Sequence, residues 1–203
     1  FAMRPASIIP GRLQCLAEMV YEFVANILDS NAGKEGKPYF PFIFTLFLFI
    51  LFSNLLGLIP YSYTVTSQII VTFAMAFTIF IGVTFIGLFK HGLHFFSFFV
   101  PPGASKPLIP LLVLIEVISY LIRPVSLSVR LFANMLAGHT MLKVFAGLAV
   151  MMSGAGGIMM AGSALPLIAI IGLTGLELLV ALLQAYVFTI LTCMYLNDAL
   201  HLH

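Results

Sequence analysis

The residues able to do chemistry gather in one stretch, EVISYLIRPVSLSVRLFANMLAGHTMLK (116–143). There Glu116, Arg123, Arg130, Asn134, His139 and Lys143 interrupt otherwise apolar sequence. An ionisable group inside hydrocarbon is costly, so such groups face protein or water and commonly mark an ion or proton path. Arginine keeps its proton under almost any condition and cannot escape burial by neutralising. Arg130 therefore needs an anion or water, within this chain or beside it. At about 100° per residue, Arg123 and Arg130 are nearly eclipsed, as are Glu116 and Arg123, and Arg130 and Asn134 share a face at i, i+4. His139 lies nine residues beyond Arg130 and points to roughly the opposite side. Glu116 and His139 are separated by about 35 Å of helix, one on each side of Arg130. The last apolar pattern repeats the theme: Glu177 and Gln184 share a face at i, i+7, and Tyr195 falls near it.

A histidine and a carboxylate in contact can pass protons near neutral pH when burial and a partner adjust them. A permanent cation between two such relays stops a proton wire from running straight through, and it attracts any carboxylate that loses its proton nearby. Ser126, Ser128, Ala133 and Ala137 flank Arg130 and are small enough to let another helix approach closely. Each residue also has a plainer reading. A single buried Glu or His commonly has a satisfied structural role. Arg123 reads first as an ion pair with Glu116 or as a snorkelling side chain, and Lys143 as snorkelling to the outer interface. The set Arg130, Asn134, His139, Glu177 and Gln184 taken together resists that explanation.

Composition says where these groups must sit. The chain has 203 residues, 62% hydrophobic and 8% charged, with a mean hydropathy of +1.15. A soluble domain carries about a quarter charged residues. The apolar surplus has nowhere to hide in water, so the fold class expected is an all-α polytopic membrane protein. A net charge of +2 gives no reason to expect nucleic acid as a partner. Cys15 and Cys193 are far apart and in no metal-ligand spacing, so both read as inert packing residues, and no metal or cofactor is expected. The chain opens at Phe1 without an initiator methionine, and a preceding segment is expected.

Residues 11–28 place Leu13, Leu16, Val20, Phe23, Val24 and Ile27 on one helical face and spread Arg12, Glu18, Glu22 and Asn26 over the rest. This is an amphipathic helix for the membrane interface, or alternatively a cap packed on a partner. DSNAGKEGKP (29–38) reads as a loop. Residues 39–59 and 66–89 are uncharged spans, each long enough for about 30 Å of hydrocarbon, and form an antiparallel hairpin. Lys34, Lys37, Lys90 and Lys106 fall on one side of it. That side is therefore cytoplasmic or matrix, and the 60–65 link lies outside, with Tyr39, Tyr61 and Tyr63 at the interfaces. HGLHFFSFFVPPGASKP (91–107) reads as a re-entrant or interfacial loop; His91 and His94 lack a third ligand for a metal. The patterns 107–152 and 166–198, joined by glycine-rich sequence, are antiparallel neighbours that bring His139 and Glu177 to the same end. As helices they would run about 65 Å and 50 Å, too long for ordinary tilts of about 20°. Either they are broken, as Pro124 would suggest, or they lie steeply inclined.

SLSVRLFANMLAGH (126–139) and LLQAYVFTILTCMYL (182–196), supported by FSNLLGLIPY (52–61), resemble subunit a of the F-type ATP synthase membrane sector, and the likeness covers essentially the whole chain. HGLHFFSFFVPPG and the His/Glu arrangement are similar to its alphaproteobacterial and mitochondrial branch. The resemblance implies two long, steeply inclined helices against a ring of c subunits, which favours inclination over breakage. It implies that Arg130 is the essential arginine facing a ring carboxylate, with Asn134 beside it and Gln184 on the last helix. His139 and Glu177 would belong to the inlet half-channel and Glu116 to the outlet side. Arg123, Ser126 and Tyr195 are secondary candidates. A non-catalytic role follows, with proton translocation the only activity. The c-ring, peripheral-stalk b-type subunits, the other synthase subunits and lipid are the implied partners. The bacterial inner membrane, or alternatively the mitochondrial one, is the implied location. The family usually has one more transmembrane helix before the amphipathic segment. A secondary transporter or channel would tend to show paired internal repeats, and none is evident here. A purely structural subunit would have little reason to place so many ionisable groups within its spans.

Overall fold

The computed structural model describes residues 11–59, 65–92, 109–154, 160 and 162–200. Its elements are α1 (Arg12–Ala32), a 3₁₀ segment (Lys34–Tyr39), α2 (Phe40–Gly57), a short 3₁₀ turn (Val65–Ser67), α3 (Ile69–His91), α4 (Ile109–Gly154) and α5 (Ala164–Leu200). Among the described residues there is no strand. Four helical stretches are long and apolar enough to cross a membrane: Lys34–Gly57, Ile69–His91, Ile109–Gly154 and Ala164–Leu200. The all-α polytopic class is thereby established. Tyr61, Tyr63, His94, Lys106 and most of the glycine-rich link lie outside the described residues, as does nearly all of the expected re-entrant loop.

The first compact unit comprises residues 1–49, 79–118 and 186–203. Here α1 packs by its C-terminal half, where Val24, Ile27, Leu28 and Ala32 are buried. Aromatic contacts hold it: Tyr21 meets Phe40 edge-on at 4.7 Å, and Phe23 lies 5.9 Å from Phe47 and 5.7 Å from Tyr186. The N-terminal half of α1 instead turns Leu13, Leu16 and Met19 outward. Part of the segment expected as a loop is helical. α1 runs on through Asp29 to Ala32, because Leu28 and Ala32 still find a buried side and the Asn31 amide donates back to the Ile27 carbonyl at 2.7 Å. Gly33 ends it with φ near +60°, a conformation that costs glycine nothing. Gly36 then passes so close that a Cβ there would sit 2.7 Å from that of Ala32. Lys90 pairs with Glu35 and also donates to the Leu200 carbonyl at 3.3 Å, while His91 Nε2 lies 3.2 Å from the same oxygen. Because Glu35 precedes α2 and Lys90 ends α3, this joins the two ends of the hairpin on its lysine side. Placing a cation at the last carbonyl of α5 also suits the negative end of the helix dipole.

The second unit comprises residues 50–78 and 119–185. Its buried apolar residues include Leu127, Leu131 and Met135 of α4 and Ala181 and Ala185 of α5. Polar side chains stitch it, as hydrocarbon demands: a hydrogen-bonding group there must find its partner within the protein. Asn54 of α2 is wholly buried and donates to the Ala181 carbonyl at 3.3 Å. Thr72 of α3 and Ser128 of α4 share a buried hydrogen bond of 3.2 Å. Interhelical hydrogen bonds of this kind contribute on average about 0.6 kcal/mol in membranes. Asn54→Ala is therefore expected to lower resistance to denaturant by about that amount, up to roughly 2 kcal/mol. A detergent-unfolding titration checks it, and unchanged stability would deny the tether.

α4 is continuous across Pro124, so of the two alternatives left by its length the broken one is not what forms here. Proline forfeits one backbone bond and crowds the carbonyl of Tyr120. Membrane helices tolerate this because neighbouring helices and side chains re-satisfy the freed groups, and Pro124 is itself buried against the rest of the protein. With 46 and 37 residues, α4 and α5 are about 69 Å and 55 Å long. Both exceed the hydrocarbon thickness of about 30 Å.

Candidate functional site

α4 is set in rotation by its buried stripe. Leu127, Leu131 and Met135 recur at i, i+4, i+8 and face inward, and Ser128 is pinned inward by Thr72. Two residues beyond Ser128, Arg130 lies about 200° further round. It is exposed on the outer face, among the exposed residues Ser126, Val129, Ala133 and Ala137. Among the described residues it makes no ion pair or hydrogen bond.

From that face the polar side chains lead inward to α5. Asn134 donates to Gln184 Oε1 at 3.0 Å, and Gln184 is buried. Five residues on along α4 and seven back along α5, as antiparallel neighbours require, His139 Nδ1 stands 3.0 Å from Glu177 Oε1. The pair sits at ion-pair distance without the alignment of a hydrogen bond. The Glu177 side chain is 5% exposed and that of His139 21%. Glu177 Oε2, His139 Nε2 and Gln184 Nε2 are buried with no hydrogen-bond partner among the described residues. Leaving such a group unsatisfied costs about 1–3 kcal/mol. These three atoms lie between the same two helices, and buried polar groups so placed call for a partner such as water or a proton. Chemically the cluster offers a proton acceptor and a proton donor in contact, with amide groups beside them.

The other residues singled out from sequence fall as follows. Ser126 is exposed and Glu116 half-buried on α4. Arg123 places its guanidinium over the Tyr120 ring, 5.5 Å from its centre, which is a cation–π distance. Lys143 is exposed, and Tyr195 is half-buried on α5. Sequence reasoning passed over Asn54 and Thr72, and weighed Ser128 only for its size. The signal was there, since Asn54 is a lone amide in an uncharged apolar run and must bond to something. Gly138, inside the quoted motif, also went without a role.

Comparison with known proteins agrees with the resemblance. The family described as ATP synthase A chain matches residues 1–197. A relative named ATP synthase subunit a, from Rhizobium etli (strain CIAT 652), is 58% identical over 201 residues, covering 99% of this chain and 80% of that protein. Proteins of the same name from Agrobacterium fabrum (58%, covering 99% of this chain and 81% of that protein) and Pelagibacter ubique (58%, 97% and 78%) are equally similar. With a match across nearly its whole length and relatives this alike, the chain belongs to the ATP synthase A chain family.

Proposed function

We propose that this chain is the proton-translocating stator subunit of an F-type ATP synthase, providing two offset half-channels to and from the carboxylates of a c-ring. The observation that carries the reading is the opposition on α4. Arg130 faces outward from a strip of small side chains, while half-buried His139 turns toward buried Glu177 on α5. A permanent cation on an exposed face of a membrane helix calls for an anion outside the chain. Small neighbours let a second helix bring one close.

Protons arrive through water at His139 and Glu177 and neutralise a ring carboxylate, which can then enter lipid. After nearly a full turn that carboxyl releases its proton toward Glu116 and the cytoplasm. Arg130 stabilises the ionised carboxylate as it passes and closes the direct route between the two half-channels. Asn134 and Gln184, joined at 3.0 Å, hold their amides beside the path. Arg123, Ser126 and Tyr195 are secondary contributors. Each charge that crosses the full potential gains about 2.3 kcal/mol per 100 mV, a modest and repeatable bias on rotation. The chain itself makes and breaks no covalent bond beyond O–H and N–H. α4 and α5 lie steeply inclined, since an upright helix of about 69 Å would overshoot a core of about 30 Å. The partners are the ring, peripheral-stalk b-type subunits and the remaining synthase subunits. The location is the bacterial inner membrane, with the mitochondrial inner membrane as the alternative.

Cysteine cross-linking in native membranes tests this. With Cys15 and Cys193 replaced by serine, a cysteine at Ala133 or Ala137 should form disulfides with cysteines on the ring's outer helix, and one at the buried Met135 should not. Failure at both exposed positions, in an assembled complex, would remove the basis of the reading.

A further inference from the structure

Gly138 lies between the residues of the site and has no side chain to contribute, yet its surroundings are specific. A Cβ built on it would fall 2.6 Å from Glu177 Oε1, 2.9 Å from Cδ and 3.1 Å from Cγ. Three atoms of the Glu177 side chain therefore fill the space beside the α4 backbone that a Cβ would take at this residue. Oε1, the atom nearest the missing Cβ, is also the atom 3.0 Å from His139 Nδ1. Any side chain at 138 occupies the volume that the carboxylate fills when it meets the imidazole.

We propose that Gly138 is a positioning residue of the proton site: the bare backbone is the seat that holds the Glu177 carboxylate against His139. The inference rests on the half-channel reading above. What the geometry predicts is a displacement and not a collapse. The atoms in the way belong to the free end of a flexible side chain, so a methyl group at 138 can be relieved by swinging the carboxylate aside. The three heavy atoms nearest the new methyl group all belong to Glu177, while Leu131, Met135, Ala181 and Ala185 keep the buried places they hold on α4 and α5. The carboxylate would leave its partner while the subunit kept its fold.

The test is a double-mutant cycle in the whole synthase, read as ATP synthesis in membrane vesicles under an imposed proton gradient. Ring copurification reports assembly. Gly138→Ala is expected to assemble normally and to lose roughly tenfold in proton-driven synthesis, since misplacing a reacting group by about 1 Å costs up to about 100-fold. Glu177→Asp draws the carboxylate back by one methylene and leaves Gly138 uncovered. In that background Gly138→Ala should therefore cost less than twofold. A general packing defect would not disappear when the acid is shortened. Equal losses in both backgrounds, or full activity of Gly138→Ala, overturn the assignment. So does failure of Gly138→Ala to assemble that persists in Gly138→Ala/Glu177→Ala, because the clash would then be with something other than the carboxylate. Full activity of Glu177→Ala alone would defeat the half-channel reading itself. Dependence on Glu177 without dependence on Gly138 defeats only the present proposal.

Discussion

Arg130→Ala is expected to abolish proton-driven ATP synthesis while the synthase still assembles. Both halves of the outcome follow from where the side chain sits. Arg130 is exposed and makes no hydrogen bond or ion pair among the described residues, so trimming it leaves no orphaned group inside the chain. Packing is equally indifferent, because the buried stripe of α4 runs through Leu127, Leu131 and Met135. What disappears is an exposed permanent cation that can hold an ionised acid and repel a free proton, while Arg123, one heptad away on α4, has its guanidinium over the Tyr120 ring. On the proposed mechanism, ring carboxylates would then have no reason to ionise opposite α4, and the two half-channels would no longer be separated. Vesicles carrying the variant should show ring copurification, no synthesis under a proton gradient, and a raised passive leak. Normal synthesis would end the proposed mechanism outright.

The second large effect is a matter of pairing. Exchanging His139 and Glu177 together is expected to preserve more activity than either single change. His139→Glu alone sets two acids about 3 Å apart, where like charges cannot both ionise. Glu177→His alone sets two imidazoles there and removes the acid. The exchange keeps one acid and one imidazole in contact between the same two helices. Proton transfer by a positioned side chain contributes about 100-fold or more, so each single variant should lose at least tenfold. The double variant should recover a clear share of that loss. Recovery will be incomplete, because an imidazole at 177 is bulkier than the carboxylate that now rests on Gly138. Vesicle synthesis rates under one fixed gradient compare the three, and equal damage in all of them would argue against a shared relay.

Much of this was legible in the chain before any coordinates. Hydrocarbon forbids free charges and free backbone groups, so apolar runs of sufficient length announce spans and their sparse charges announce function. The helical period alone put Arg130 and His139 on opposite sides of α4 and Glu177 and Gln184 on one side of α5. The antiparallel arrangement of two long helices brought His139 to the end where Glu177 lies. One local reading needed correction and one local breaking signal was overridden, for related reasons. The stretch from Asp29 to Ala32 looked like a loop by composition, but Leu28 and Ala32 had a buried side to fill and the helix ran on to meet it. Pro124 looked like a possible stop, yet α4 continues through it. In each case tertiary surroundings outweighed a local preference of a few kcal/mol at most.

Residue order alone therefore dictates the class of fold, the spans, and the angular position of every charged group about its own helix axis, because period and polarity are properties of one helix in oil. Which neighbour each face meets is a property of at least two. That the Asn54 amide reaches the Ala181 carbonyl, that Thr72 holds Ser128 and so turns Arg130 outward, and that the Glu177 carboxylate rests on the bare backbone of Gly138 were decided only when the helices packed. Such contacts depend on register and depth between segments that the chain separates widely, and no periodicity within one segment carries that information.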